Sequence, residues 1–188
     1  MEAFFSSTAL VAIAEIGDKT QLLALVLATR FRKPVPIILG ILAATLANHA
    51  LAALLGATAA AWLEASWFKT AIALAFIAMG LWTLIPDKLG EDEAARGSGR
   101  GAFLTTLIAF FFVEIGDKTQ IATVALGARY ESVLAVTAGT TLGMMLANVP
   151  VVLAGDALIR RVPMKAVRIG AALLFVATGV WMLISAQS

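Results

Sequence analysis

The sequence predicts an all-α integral membrane protein with six transmembrane helices, arranged as two inverted three-helix repeats. Three observations predict it. The 188 residues are 61% hydrophobic and only 14% charged, with a mean hydropathy of +0.93, whereas soluble domains run at about 45–50% apolar and about 25% charged. Six stretches are long and apolar enough to cross a bilayer, which takes about 20 residues per helix. The second half of the chain also repeats the first at a constant offset of 99 residues.

In chain order the six segments fall at 4–28, 34–57, 67–85, 103–128, 132–155 and 165–184. The connections between them are short, which favours antiparallel neighbours. The longest, 87–101, holds Asp87-Lys88, the acidic triplet Glu91-Asp92-Glu93 and Gly97-Ser98-Gly99-Arg100-Gly101. It reads as a flexible polar linker between a first repeat at 1–86 and a second at 102–188. The offset superposes Glu15 on Glu114, Arg30 on Arg129, Gly56 on Gly155, Phe76 on Phe175, Gly80 on Gly179 and Trp82 on Trp181. Asn48 and Asn148 match after a shift of one residue. An odd number of crossings per unit makes the second copy enter the membrane the other way up, an architecture that places a substrate at the midplane between halves. Gly139-x-x-x-Gly143 and Gly40-x-x-x-Ala44 are small-residue faces for close helix packing. Trp62, Trp67, Trp82 and Trp181 lie near predicted helix ends, as an interfacial aromatic belt requires.

Ten basic residues lie in the loops after the first, third and fifth helices, and two, Lys69 and Arg129, on the opposite side. The positive-inside rule therefore predicts both termini on the non-cytoplasmic side. Met1-Glu2-Ala3 lacks the basic start of a signal peptide, so the first apolar segment is expected to stay in the mature protein. A formal net charge of +2 gives no reason to expect a nucleic-acid partner; the expected surroundings are lipid. The absence of cysteine excludes disulfides and thiolate metal ligands.

The candidate site is a heptapeptide that occurs twice, letter for letter, inside apolar segments: Glu15-Ile16-Gly17-Asp18-Lys19-Thr20-Gln21 and Glu114-Ile115-Gly116-Asp117-Lys118-Thr119-Gln120. Each charged group at mid-membrane depth costs roughly 2.5–3.5 kcal/mol on insertion scales, so charge kept there marks a functional site. On a continuous helix, Glu and Asp at i, i+3 share one face with Gln at i+6, and Glu and Lys at i, i+4 pair. Gly17 and Gly116 either admit a facing helix or permit a local break. Brought together, Glu15, Asp18, Glu114 and Asp117 carry four negative charges and Lys19 and Lys118 return two positive ones. The balance of −2 suits one divalent cation. Ca²⁺, Mg²⁺ and Mn²⁺ take six or more oxygens, which Gln21 and Gln120 help to supply. Thr20 and Thr119 offer hydroxyls, and Asn48 and Asn148 are further candidates. A proton and a cation compete for the same carboxylate oxygens, so cation/proton exchange follows as a hypothesis. No prosthetic group is expected.

A structural ion-pair cluster pinning the first helix to the fourth also accounts for buried charge. The doubling of all seven residues, Gly and Gln included, favours a site instead. His49, the only histidine, aligns with Val149 and reads as a hydrogen-bonded interior residue rather than a ligand. One histidine and no cysteine argue against zinc or copper. A phosphate-loop reading of Gly17-Asp18-Lys19-Thr20 fails because the upstream glycine and the adjacent Gly-Lys are missing. No Ser/His/Asp set is available, so an enzyme is not expected.

The paired motifs Glu15-Ile16-Gly17-Asp18-Lys19-Thr20 and Glu114-Ile115-Gly116-Asp117-Lys118-Thr119 resemble those of the GDT-type calcium/manganese–proton antiporters, within the broader lysine-exporter superfamily. The resemblance covers the whole chain: length, six helices, repeat and central linker. It implies export of Mn²⁺, or Ca²⁺, in exchange for protons, with Glu15, Asp18, Glu114 and Asp117 as ligands. It also implies a bacterial plasma membrane, and a chain that carries both repeats and so can work alone, with a homodimer equally compatible. The wider superfamily leaves export of an organic cation or amino acid as the alternative.

Overall fold

The computed structural model describes residues 1–62, 66–85, 101–155 and 164–185. The described residues form eight α-helices: α1 (Glu2–Glu15), α2 (Lys19–Phe31), α3 (Pro34–Trp62), α4 (Ser66–Thr83), α5 (Ala102–Glu114), α6 (Lys118–Tyr130), α7 (Val133–Ala154) and α8 (Met164–Ser185). Residues 87–100 of the predicted linker, with the acidic triplet, lie outside the described residues, as do Arg160 and Arg161 and the side chain of Trp62.

The first and fourth predicted helices are not continuous, which corrects the expectation of unbroken spans there. Each is two helices of 13–14 residues joined by a three-residue break, at 16–18 and at 115–117. At 1.5 Å per residue each piece is about 20 Å long, too short to cross a hydrocarbon core of about 30 Å. Three helical stretches are long and apolar enough to cross: Pro34–Ala60, Val133–Ala154 and Lys165–Ile184. Pro34 opens α3 at a position where its missing N–H costs nothing. Arg32 and Glu131 both adopt the left-handed conformation (φ 52° and 49°) and cap α2 and α6 through their N–H groups. They too are 99 residues apart.

Packing runs chiefly between the halves rather than within them. α1 lies on α7 and α5 on α3; α4 lies on α8; α3 also meets α6 and α7. The close approaches exchange under the same offset of 99. A Cβ at Gly40 would stand 2.8 Å from the Phe103 carbonyl oxygen, beside Thr106; at Gly139 it would stand 2.5 Å from the Phe4 carbonyl oxygen, beside Ser7. Gly80 meets Ala172 and Val176 on α8, and Gly179 meets Ala73 and Ile77 on α4. Phe76 and Phe175 complete this α4–α8 contact with ring centroids 6.1 Å apart.

The burial pattern suits a lipid surround. Leu39, Leu51, Leu55, Leu74, Leu134, Leu146, Leu153, Leu173 and Ile184 are exposed, while Glu15, His49, Glu114 and Asn148 are fully buried. Exposed aliphatic side chains cost nothing against acyl chains, whereas backbone and charge must be satisfied inside the protein. Trp67, Trp82 and Trp181 are exposed near helix ends.

Candidate functional site

Each heptapeptide builds a helix break from its own residues. Glu15 ends α1. Ile16 follows at φ −67°, ψ 114°, Gly17 at φ 83°, and the Asp18 N–H donates to the Glu15 carbonyl at 3.1 Å. These are the dihedrals and the hydrogen bond of a type II turn, whose third residue needs a positive φ and hence glycine. Asp18, at φ −79° and ψ 169°, is then the N-cap of α2. The second copy repeats the turn: Ile115 at φ −63°, ψ 118°, Gly116 at φ 76°, and Asp117 N–H to Glu114 carbonyl at 3.0 Å. The last residue of each motif closes the break. Gln21 Oε1 accepts the Gly17 N–H and Gln120 Oε1 accepts the Gly116 N–H, both at 2.7 Å. A side chain at N3 that reaches back to an orphan amide is the logic of a capping box, displaced here by one residue because the cap's own N–H serves the turn.

The breaks change how the motif side chains meet. Glu15 and Asp18 do not share a face of one helix, and the Glu–Lys spacing that pairs along a helix spans the turn instead. The Thr20 hydroxyl donates to Glu15 Oε2. Lys19 Nζ lies 3.2 Å from Asp117 Oδ1, in the opposite half. Asp117 caps α6 by accepting from the Thr119 N–H at 3.4 Å and the Thr119 hydroxyl at 3.2 Å. Lys118 Nζ donates to the Ile85 carbonyl at 3.2 Å, with the Trp82 ring 5.9 Å away.

Carboxylates of both halves nonetheless converge. One oxygen from each of Glu15, Asp18 and Asp117 lies within 4.8 Å of the others, and all three residues are buried. Glu114 is turned to a different partner: its Oε2 lies 3.3 Å from Nε2 of His49 on α3. Both members of this pair are fully buried. Sequence reasoning placed His49 in the interior but did not place it against a motif carboxylate, because nothing in the chain marks a contact across 65 residues. Asn48 donates to the Phe111 carbonyl at 2.9 Å, and Asn148 to the Met144 carbonyl at 3.1 Å. Gln21 is also tied across the interface, donating to the Ala147 carbonyl at 2.8 Å. The capping roles of Asp18, Asp117, Gln21 and Gln120 were legible in principle: Asp-Lys-Thr-Gln is a helix-start pattern inside an apolar run.

Buried acceptor atoms with no hydrogen-bond partner among the described residues include Glu15 Oε1, Glu114 Oε1, Asn148 Oδ1 and His49 Nδ1. Buried polar atoms are nearly always satisfied, and a cation answers a surplus of acceptors as hydrogen bonds answer a surplus of donors. The N-termini of α2 and α6 and the C-termini of α1 and α5 meet at the same breaks. Discontinuous helices of this kind hold ions in transporters through their terminal carbonyls and dipoles.

Comparison with known proteins agrees with this chemistry. The family described as Divalent cation/proton antiporter GDT1 matches residues 3–91 and 102–188. A Vibrio cholerae protein named "Putative manganese exporter" is 54% identical over 169 residues, covering 89% of this chain and 84% of its own length. The GDT1-like protein 5 of Arabidopsis thaliana is 28% identical over 222 residues, covering 98% of this chain and 96% of its own. A GDT1-like protein of Synechocystis is 28% identical, covering 93% of each chain. No solved structure matches the chain significantly. The doubled break motif, its clustered carboxylates and the match along both halves together show that this chain belongs to the GDT1 family of divalent cation/proton antiporters, and is thus a membrane transporter rather than an enzyme.

Proposed function

We propose that the protein exports Mn²⁺, with Ca²⁺ as a second substrate, in exchange for protons, through a midplane site formed by the two helix breaks. The observation that carries this is the convergence of Glu15, Asp18 and Asp117 within 4.8 Å from both halves of the chain. Glu15, Asp18, Glu114 and Asp117 are assigned as ligands. Gln21 and Gln120 hold the breaks open and contribute amide oxygens when the ion is bound. Lys19, Lys118, Thr20, Thr119, Asn48 and Asn148 support the site. Manganese is placed first because a relative of 54% identity bears a manganese exporter's name; both ions accept the same oxygen donors.

The exchange mechanism follows from competition. A divalent ion displaces protons from the carboxylates it binds, and protons arriving from the other side displace the ion. The architecture proposed for this is six crossings in two inverted three-helix repeats, supported by the exchange of glycine contacts and helix breaks under one offset. Ten basic residues on one side against two on the other support an inner-membrane location in a bacterium with both termini non-cytoplasmic. The full double repeat supports a chain that works as a monomer.

Reconstitution in proteoliposomes tests the proposal. Mn²⁺ flux with simultaneous proton counter-flux, both lost in Glu15→Gln and Asp117→Asn proteins that still fold, is the expected result. Mn²⁺ flux without proton movement removes the exchange mechanism, and lysine flux in place of metal flux replaces the substrate.

A further inference from the structure

His49 stands outside the repeated motif, yet the structure joins it to the site. It lies on α3, fully buried, with Nε2 3.3 Å from Glu114 Oε2. Its other ring nitrogen, Nδ1, is buried and has no hydrogen-bond partner among the described residues. A carboxylate accepts and does not donate, so the hydrogen of a neutral ring sits on Nε2 and the lone pair on Nδ1. This is the arrangement of a metal-ligating histidine: one nitrogen hydrogen-bonded to a carboxylate that fixes tautomer and ring orientation, the other directed at the metal. A core histidine kept only for packing has no reason to leave a buried acceptor unmet, which costs about 1–3 kcal/mol.

From this we infer that His49 Nδ1 is a nitrogen ligand to the transported ion, and that Glu114 orients the ring. The inference rests on the transport reading above and names the substrate class more narrowly. A site of carboxylates plus one imidazole takes a first-row transition-metal dication in preference to Ca²⁺ or Mg²⁺, which are held by oxygen alone. The site is also unsymmetrical. Val149 stands at the aligned position of α7, so the two halves hold the ion unequally despite their identical motifs.

The test uses the purified full-length protein in detergent with Mn²⁺ or Ca²⁺ as the added ion. Pulsed electron paramagnetic resonance of bound Mn²⁺ is expected to show ¹⁴N hyperfine coupling from a directly bonded imidazole. His49→Gln keeps an amide N–H near the Nε2 position to serve Glu114 but removes the second nitrogen. It is expected to abolish the ¹⁴N coupling and weaken Mn²⁺ binding by about 10- to 100-fold, while changing Ca²⁺ binding by less than about threefold; the retained Ca²⁺ binding reports that the variant folds. Mn²⁺ bound to the wild-type protein without ¹⁴N coupling overturns the inference and leaves the transport proposal standing. Equal losses for Mn²⁺ and Ca²⁺ also overturn it, because His49 then acts only by placing Glu114. A wild-type protein that binds neither ion overturns both.

Discussion

Lys19 Nζ lies 3.2 Å from Asp117 Oδ1, so the ammonium group of the first motif is paired with a carboxylate of the second. The side chains are 16% and 4% exposed, which makes this a largely buried ion pair that crosses the boundary between halves. Removing one partner of a buried pair strands the other charge and costs about 3–5 kcal/mol. Lys19→Met is therefore expected to lower thermal stability in detergent sharply. Adding Asp117→Asn is expected to recover part of the loss, with a coupling of about 0.5–3 kcal/mol in the double-mutant cycle. Additive effects would mean that the two groups do not sense each other.

Gly17 and Gly116 sit at φ 83° and 76° with room around them; a Cβ at Gly116 meets nothing within 4 Å. The constraint there is conformational. Gly116→Ala is expected to cost about 1–2 kcal/mol from the left-handed backbone, read as a fall in melting temperature. Gly170, in α8, also has space for a Cβ and has no positive φ. Gly170→Ala is expected to stabilise by about 0.5–1 kcal/mol through helix propensity.

Gly139 is limited by space instead. Its missing side chain lets the Phe4 backbone on α1 approach α7. Gly139→Val forces the helices apart and is expected to destabilise by about 1–3 kcal/mol or more. Gly40→Val is expected to act alike at the α3–α5 contact. A melting curve unchanged in either variant would contradict the packing described here.

The two motif glutamines are expected to differ. Gln21 accepts from the Gly17 N–H and also donates to the Ala147 carbonyl on α7, whereas Gln120 is recorded only with the Gly116 N–H. Gln120→Ala removes a cap, at about 0.5–2 kcal/mol. Gln21→Ala removes a cap and a buried inter-half hydrogen bond, adding about 0.5–1.5 kcal/mol. Equal shifts in melting temperature would mean that the Ala147 bond contributes nothing.

Much of the site was legible before any coordinates. The doubled heptapeptide, its depth in an apolar segment and the offset of 99 all lie in the order of residues. Glu15, Asp18 and Asp117 were named there and are found together. The helix breaks were half legible. Gly17 and Gly116 left a break open, and Asp-Lys-Thr-Gln reads as a helix start, but the surrounding run of apolar residues looks like one continuous span. Hydropathy averages over a window wider than a three-residue turn, so the turn disappears from it.

By itself, the sequence determined that the chain is helical and lipid-facing, that it carries one unit twice, and that each unit puts two carboxylates where hydrocarbon is expected. These properties depend on composition and short-range spacing. Only the tertiary structure decided the partners: Lys19 with Asp117, Glu114 with His49, and Gln21 with the α7 backbone. Those pairs join residues 65 to 126 positions apart, and they form because each buried charge or amide must find a complement inside the protein where lipid offers none.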